Sequence, residues 1–180
     1  MKKIILIGGD LASGKSTLSY RISERFNVSC FNKDILKEIF AEDIETHNRD
    51  ENKKLSVSSF KIFRYLATQN VSPMILESNF KVSEMEELGK ILKEHEYDIL
   101  SLRLTGDFET LHKRFIARLS MNRNPIHKSV DLSRIQDFID ENMKLRNTVY
   151  PGEVIDIDAS TFAYQEDEKL FRKIEDFLKR

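Results

Sequence analysis

The 180-residue chain has no tryptophan, one cysteine, three prolines and six glycines. The single thiol, Cys30, excludes a disulfide framework within the chain and suits a reducing compartment. No apolar run is long enough to span a bilayer. The run at residues 4–7 is too short for the core of a secretion signal and is ended at once by Gly8 and Gly9, so the expected location is cytoplasmic. Net charge is nearly absent, with 29 Lys and Arg against 30 Asp and Glu, or −1 overall. That balance disfavours a globally basic nucleic-acid binder. What remains is 40% hydrophobic and 33% charged, the make-up of a globular chain of about one domain.

The scarce glycine is concentrated, since Gly8, Gly9 and Gly14 are three of the six. Apolar runs at residues 3–7, 74–76, 100–104 and 154–157 read as buried strands, with a weaker one at 28–31. Helical spacing links Leu18, Ile22 and Phe26, then Phe108, Leu111, Phe115 and Leu119, then Leu170, Ile174, Phe177 and Leu178. Ser83 with Glu86 three residues on reads as a capping box opening a further helix. Strands alternating with helices predict an α/β protein. The expected architecture is a three-layer α/β/α sandwich around a parallel sheet of about five strands, as one domain over residues 1–180. Residues 42–54 are strongly polar without an apolar period. They read as a solvated loop or frayed helix end, or else as a mobile rim over a substrate site.

Gly9-Asp10-Leu11-Ala12-Ser13-Gly14-Lys15-Ser16 fits G-x-x-x-x-G-K-[ST] at every fixed position, between an apolar strand and an amphipathic helix. Glycines let successive backbone N–H groups turn inward around phosphate oxygens, and the new helix adds its positive end. Lys15 is placed to reach the β- and γ-phosphates, and the Ser16 hydroxyl to ligate Mg²⁺. The stretch 9–17, closing on Thr17 as a helix residue, is the expected nucleotide-binding segment. The motif alone serves kinases, GTPases and mechanical ATPases.

Asp34 follows the second strand, at the sheet edge where open α/β folds bind ligands. A carboxylate there can accept the proton of an attacking hydroxyl, and Lys37 one turn on can hold an acceptor oxygen. The bland alternative has Asn32 capping the helix, Asp34 complementing its dipole and Lys37 in solvent. Residues 74–76 end in Glu77, which can hold a Mg²⁺-bound water or a substrate group, with Asn79 two residues beyond. Phe80 lines a pocket or is core. Residues 110–130 contain Lys113, Arg114, Arg118, Arg123 and Lys128 and no acid, so the remaining 24 basic residues face all 30 acidic ones, a net of −6. Such a run is either a solvated face or a basic lid that brings arginines to a phosphoryl group. The histidines show no metal-ligand spacing.

The phosphate loop together with Asn32-Lys33-Asp34-Ile35-Leu36-Lys37 resembles the P-loop kinase group that includes polynucleotide kinases, zeta toxins, chloramphenicol phosphotransferase and gluconate kinase. The Arg-x-x-x-Arg stretch with the later Arg123 and Pro125 resembles the lid of adenylate-kinase-like members. The resemblance implies a P-loop NTPase sheet and an ATP- and Mg²⁺-dependent kinase that phosphorylates a hydroxyl of a small acceptor. It implies Asp34 as general base, with Lys15, Arg118 and Arg123 acting on the transferring phosphate and Arg114 on the nucleotide. Lys37, Glu77 and Asn79 would meet the acceptor, and Ser16 and Glu77 the metal. Polynucleotide kinases often carry Arg where this chain has Lys37, a point charge instead of a fork. Two other readings stand beside it: a regulatory ATPase that uses the nucleotide as a switch, and a nucleic-acid 5′-kinase. No membrane partner is expected, and the chain is expected to be a monomer or a dimer.

Overall fold

The computed structural model describes residues 1–44, 48–120, 126 and 131–180, with Ser120 described for its backbone only. Five strands, β1 (Lys2–Gly9), β2 (Ser29–Asn32), β3 (Met74–Glu77), β4 (Tyr97–Thr105) and β5 (Glu153–Asp158), form one sheet in the order β2-β3-β1-β4-β5. Every pairing is parallel. The described helices are α1 (Lys15–Phe26), α2 (Lys33–Asp43), α3 (Arg49–Thr68), α4 (Val82–Glu94), α5 (Phe108–Ser120), α6 (Ile135–Arg146) and α7 (Glu168–Lys179). None of them is long and apolar enough to cross a membrane.

β1 shows why the layers form. Ile4, Ile5, Leu6 and Ile7 are all fully buried, and successive side chains of a strand point to opposite faces. Ile5 and Ile7 pack with Leu18 and Ile22 of α1 and with Leu170, Ile174 and Phe177 of α7. Ile4 and Leu6 pack with Phe60 and Phe63 of α3 and with Met85, Leu88 and Leu92 of α4. Each such side chain contributes roughly 1.5–3 kcal/mol on burial. An unbroken apolar run is therefore the signature of a central strand covered on both sides. Phe80, Phe60 and Phe63 belong to the second of these cores, whereas Tyr65 is exposed. A third, smaller cluster joins Leu111 and Phe115 of α5 to Phe138 of α6 and packs against Leu11 and Ala12 of the phosphate loop.

Three local expectations are corrected. The strand at residues 154–157 is buried only in part; β5 is an edge strand, with Ile157 in the core and Val154 41% exposed. Residues 49–54 are not loop, because α3 begins at Arg49, with Asn48 capping it by accepting from the Glu51 N–H. Their weak apolar period reflects an outward first turn plus one buried polar residue, Asn52. The helix expected to open on Ser83 starts at Val82, because Glu84, not Glu86, reaches back to the Lys81 N–H (3.2 Å).

Candidate active site

β1, β2 and β3 run parallel side by side, so their carboxyl ends bring the phosphate loop, Asn32 and Glu77 to one edge. The loop has the shape its glycines permit. Gly9 has φ +115°, and a Cβ there would lie 2.0 Å from the Leu104 carbonyl oxygen. Gly14 has φ +85°, and a Cβ there would lie 2.3 Å from the Tyr164 hydroxyl, which donates to the Ser13 carbonyl at 2.6 Å. Any side chain at either position would force the loop away from its neighbours.

Lys15 is buried, and its Nζ donates to the Asp10 carbonyl oxygen at 2.5 Å. Burial pulls its ammonium below the ordinary value, while Glu77, Asp34 and Asp10 pull it part of the way back. The Ser16 hydroxyl donates to Glu77 Oε2 at 3.0 Å. Asn32, paired in register with Glu77 across β2 and β3, donates its Nδ2 to the same oxygen. Burial pushes the Glu77 carboxyl up to about 7, from an ordinary 4.5; Lys15 opposes this and Asp34 adds to it.

Ser16 and Glu77 supply two hard oxygens side by side. No group of three or more His, Cys, Asp or Glu that could hold a metal occurs among the described residues. That donor set fits Mg²⁺ held jointly with phosphates and water, and does not fit an all-protein cage.

A pH dependence follows. Ionising Glu77 in the fold becomes unfavourable once the pH exceeds about 4.5, its value in the unfolded chain, and the full cost is reached above about 7. Glu77→Gln removes that cost. The variant is expected to melt roughly 5–10 °C above wild type at pH 8 and level with it at pH 4, read by thermal denaturation.

A cavity of about 440 Å³ opens over the loop. Ser13 to Thr17 line it on one side, Asp34, Glu77 and Asn79 on another, and Arg114, Arg118 and Phe162 across from them. A second cavity of about 200 Å³ adjoins it, with Lys33, Lys37, Ser56 and Lys81 among its lining. Leu11, Asp34, Asn79 and Phe115 line both. Asp34 and Asn79 thus stand where the two cavities meet.

Not every expected residue turns toward this space. Gly9 shapes the loop but does not line either cavity. The Asp10 carboxylate is fully buried and points the other way, accepting from Arg146 Nη2 (2.6 Å) and from the Gly106 N–H (3.0 Å). The Leu11 N–H is taken by Asn142 Oδ1 at 2.7 Å. Arg114 lines the first cavity, but its Nη1 and Nη2 donate to the carbonyls of Ala159 (2.6 Å) and Ser160 (2.7 Å), and its guanidinium lies 3.9 Å from the centre of the Phe162 ring. Lys37 is buried beside the second cavity. Arg123 and Lys128 lie outside the described residues.

Sequence reasoning missed Asn142, Arg146, Phe162 and Tyr164, all of which reach the site from distant segments. Arg146 forms an ion pair with the buried Asp10. Removing Arg146 leaves a fully buried carboxylate without its ion-pair partner, so Arg146→Ala is expected to lose about 3 kcal/mol, measured by denaturant titration, while Lys144→Ala on the exposed face of the same helix loses under about 0.5 kcal/mol.

Solved structures described as kinases share this fold over nearly the whole chain. A protein of Chloroflexus aurantiacus described as a candidate kinase is similar with a TM-score of 0.82 at 21% identity, covering 98% of this chain and 98% of its own. The chain has the fold of the small P-loop kinases. A shikimate kinase of Bacteroides thetaiotaomicron is similar with a TM-score of 0.59 at 15% identity, over 97% of this chain and 98% of its own. A gluconokinase of Sinorhizobium meliloti gives 0.58 at 17% identity, over 97% and 95%. No family model and no curated protein matches the chain. The P-loop kinase fold accounts for the shared edge on which β1, β2 and β3 end, and the two cavities lie along that edge.

Proposed function

We propose that the protein is an ATP-dependent phosphotransferase that moves the γ-phosphate of ATP to a hydroxyl of a small acceptor. One observation carries the reading: Asp34 stands on the wall common to a cavity over the phosphate loop and a second, smaller cavity. A nucleotide on the loop and an acceptor in the second cavity would face each other across that carboxylate. A space of about 200 Å³ suits a metabolite-sized group. A nucleotide switch needs no such second cavity, and a nucleic-acid duplex would not enter it.

In this reading the loop amides and the positive end of α1 hold the phosphates. Lys15 turns from the Asp10 carbonyl to the β- and γ-phosphates. Ser16 and Glu77 would hold Mg²⁺, which supplies neutralising charge to the phosphate oxygens. Asp34 takes the acceptor's hydroxyl proton as that oxygen bonds to the γ-phosphorus and the bond to ADP breaks. Arg118 faces the first cavity with its charge available to the phosphoryl group, and Arg123 shares that role in a lid at about 110–130. Arg114 has its donors engaged by backbone carbonyls; what it offers is a flat cationic face backed by Phe162, suited to a nucleotide base. Lys37 and Asn79 meet the acceptor. Residues 1–180 act as one catalytic domain.

The test is a screen for ADP release across hydroxyl-bearing metabolites. Acceptor-dependent release by wild type, absent in Lys15→Ala, is the expected result. A slow release that no compound in the library changes would favour a regulatory ATPase instead.

A further inference from the structure

We infer that Asn32 is a positioning residue that couples the Glu77 end of the site to Asp34, an inference that rests on the phosphotransferase reading above. Both ends of its amide are engaged, and they are engaged on different parts of the site. Oδ1 accepts from the N–H groups of Asp34 (2.8 Å) and Ile35 (3.1 Å), capping α2 and fixing the turn that carries Asp34. Nδ2 donates to Glu77 Oε2 and lies 3.2 Å from Ser16 Oγ. One buried side chain therefore touches the backbone of the proton acceptor, the carboxylate of the metal-side pair and the hydroxyl beside it.

The residue type is what makes this specific. A helix cap needs only an oxygen, and Ser, Thr or Asp supplies one about as well. Among these, only Asn also carries N–H donors on the same rigid plane. Ser at this position would keep the cap and lose the link to Glu77. Asp would keep the cap but set a second carboxylate against Glu77, where like charges repel. Glu77 Oε2 is held from two directions, by Ser16 and by Asn32, and Oε1 has no hydrogen-bond partner among the described residues. Glu77 Oε2 is thus held by Asn32 together with Ser16 before any ligand arrives, and a shift of that oxygen on ligand binding is passed through Asn32 to the first turn of α2.

The experiment compares Asn32→Ser, which retains the cap, with Asn32→Ala, which loses both functions. Three readouts separate a positioning role from a structural one: melting temperature, ATP affinity with and without Mg²⁺ by calorimetry, and the rate of transfer. Asn32→Ser is expected to melt within about 3 °C of wild type and to bind metal-free ATP as wild type does. It is expected to lose about 10–100-fold of the Mg²⁺-dependent gain in ATP affinity, with a similar loss in kcat. Full retention of that gain by Asn32→Ser would overturn the inference, as would an effect on melting temperature alone. The binding arm needs no acceptor. It decides the role of Asn32 even if no transfer is found, which would be a failure of the phosphotransferase reading and not of this one.

Discussion

Asp34→Asn is expected to slow phosphoryl transfer by about 10²–10⁴-fold while leaving ATP affinity within about twofold of wild type. The asymmetry follows from where the side chain sits. Asp34 is half-buried at the junction of the two cavities, across from the loop and not in it. It is also the second residue of α2, whose cap uses its backbone N–H and not its carboxylate. Replacing the carboxylate with an amide of the same shape therefore leaves the helix and the loop intact; it removes the proposed proton acceptor and, with it, the charge that acts on Lys15 and Glu77. Single-turnover kinetics with a labelled γ-phosphate reads the first quantity and calorimetry the second. A variant that lost ATP binding would show that Asp34 belongs to the nucleotide cavity alone.

Lys15→Ala is expected to lower turnover by about 10³-fold and to weaken ATP binding as well, because its cation acts on ground-state and transition-state phosphates alike. The contrast with Asp34→Asn is the informative part: one variant loses the rate alone, the other rate and affinity together. A second consequence is electrostatic. Lys15 is the main group holding the Glu77 proton affinity down against burial. Without it the Glu77 carboxyl moves further above 7, and Mg²⁺-dependent binding in the variant should require a higher pH. Wild-type ATP affinity in Lys15→Ala would contradict the role assigned to the loop.

The placement of the phosphate loop was legible in the sequence for a physical reason. The constraints on a phosphate loop are local: Gly9 and Gly14 are set by positive φ and by contact with the Leu104 carbonyl and the Tyr164 hydroxyl, and Lys15 opens the helix that follows. The central strands were legible because burial on both faces leaves an unbroken apolar run. What was not legible depends on which segments the sheet brings together. Asn32 reads as a cap from sequence, and it is one; its contact with Glu77 spans 45 residues and exists only because β2 lies beside β3. Asn142 and Arg146 hold the loop from 131 and 136 residues away, and nothing in α6 itself advertises that. Charge counting along residues 110–130 treats every arginine as a candidate phosphate ligand. It cannot see that two backbone carbonyls engage the donors of Arg114. Ser83 and Glu86 fit the capping pattern, but the helix begins at Val82, where Glu84 accepts from the backbone N–H of Lys81, a residue whose own side chain cannot cap.

The central claim is that a hydroxyl, and not water, receives the phosphate across Asp34. Phosphorus NMR of wild type with ATP, Mg²⁺ and an acceptor found by ADP release tests it most directly. The account predicts a new phosphomonoester signal growing in step with ADP, and no such signal over the same period with Asp34→Asn. Inorganic phosphate as the only product alongside ADP would contradict it, as would ester formed by Asp34→Asn at the wild-type rate.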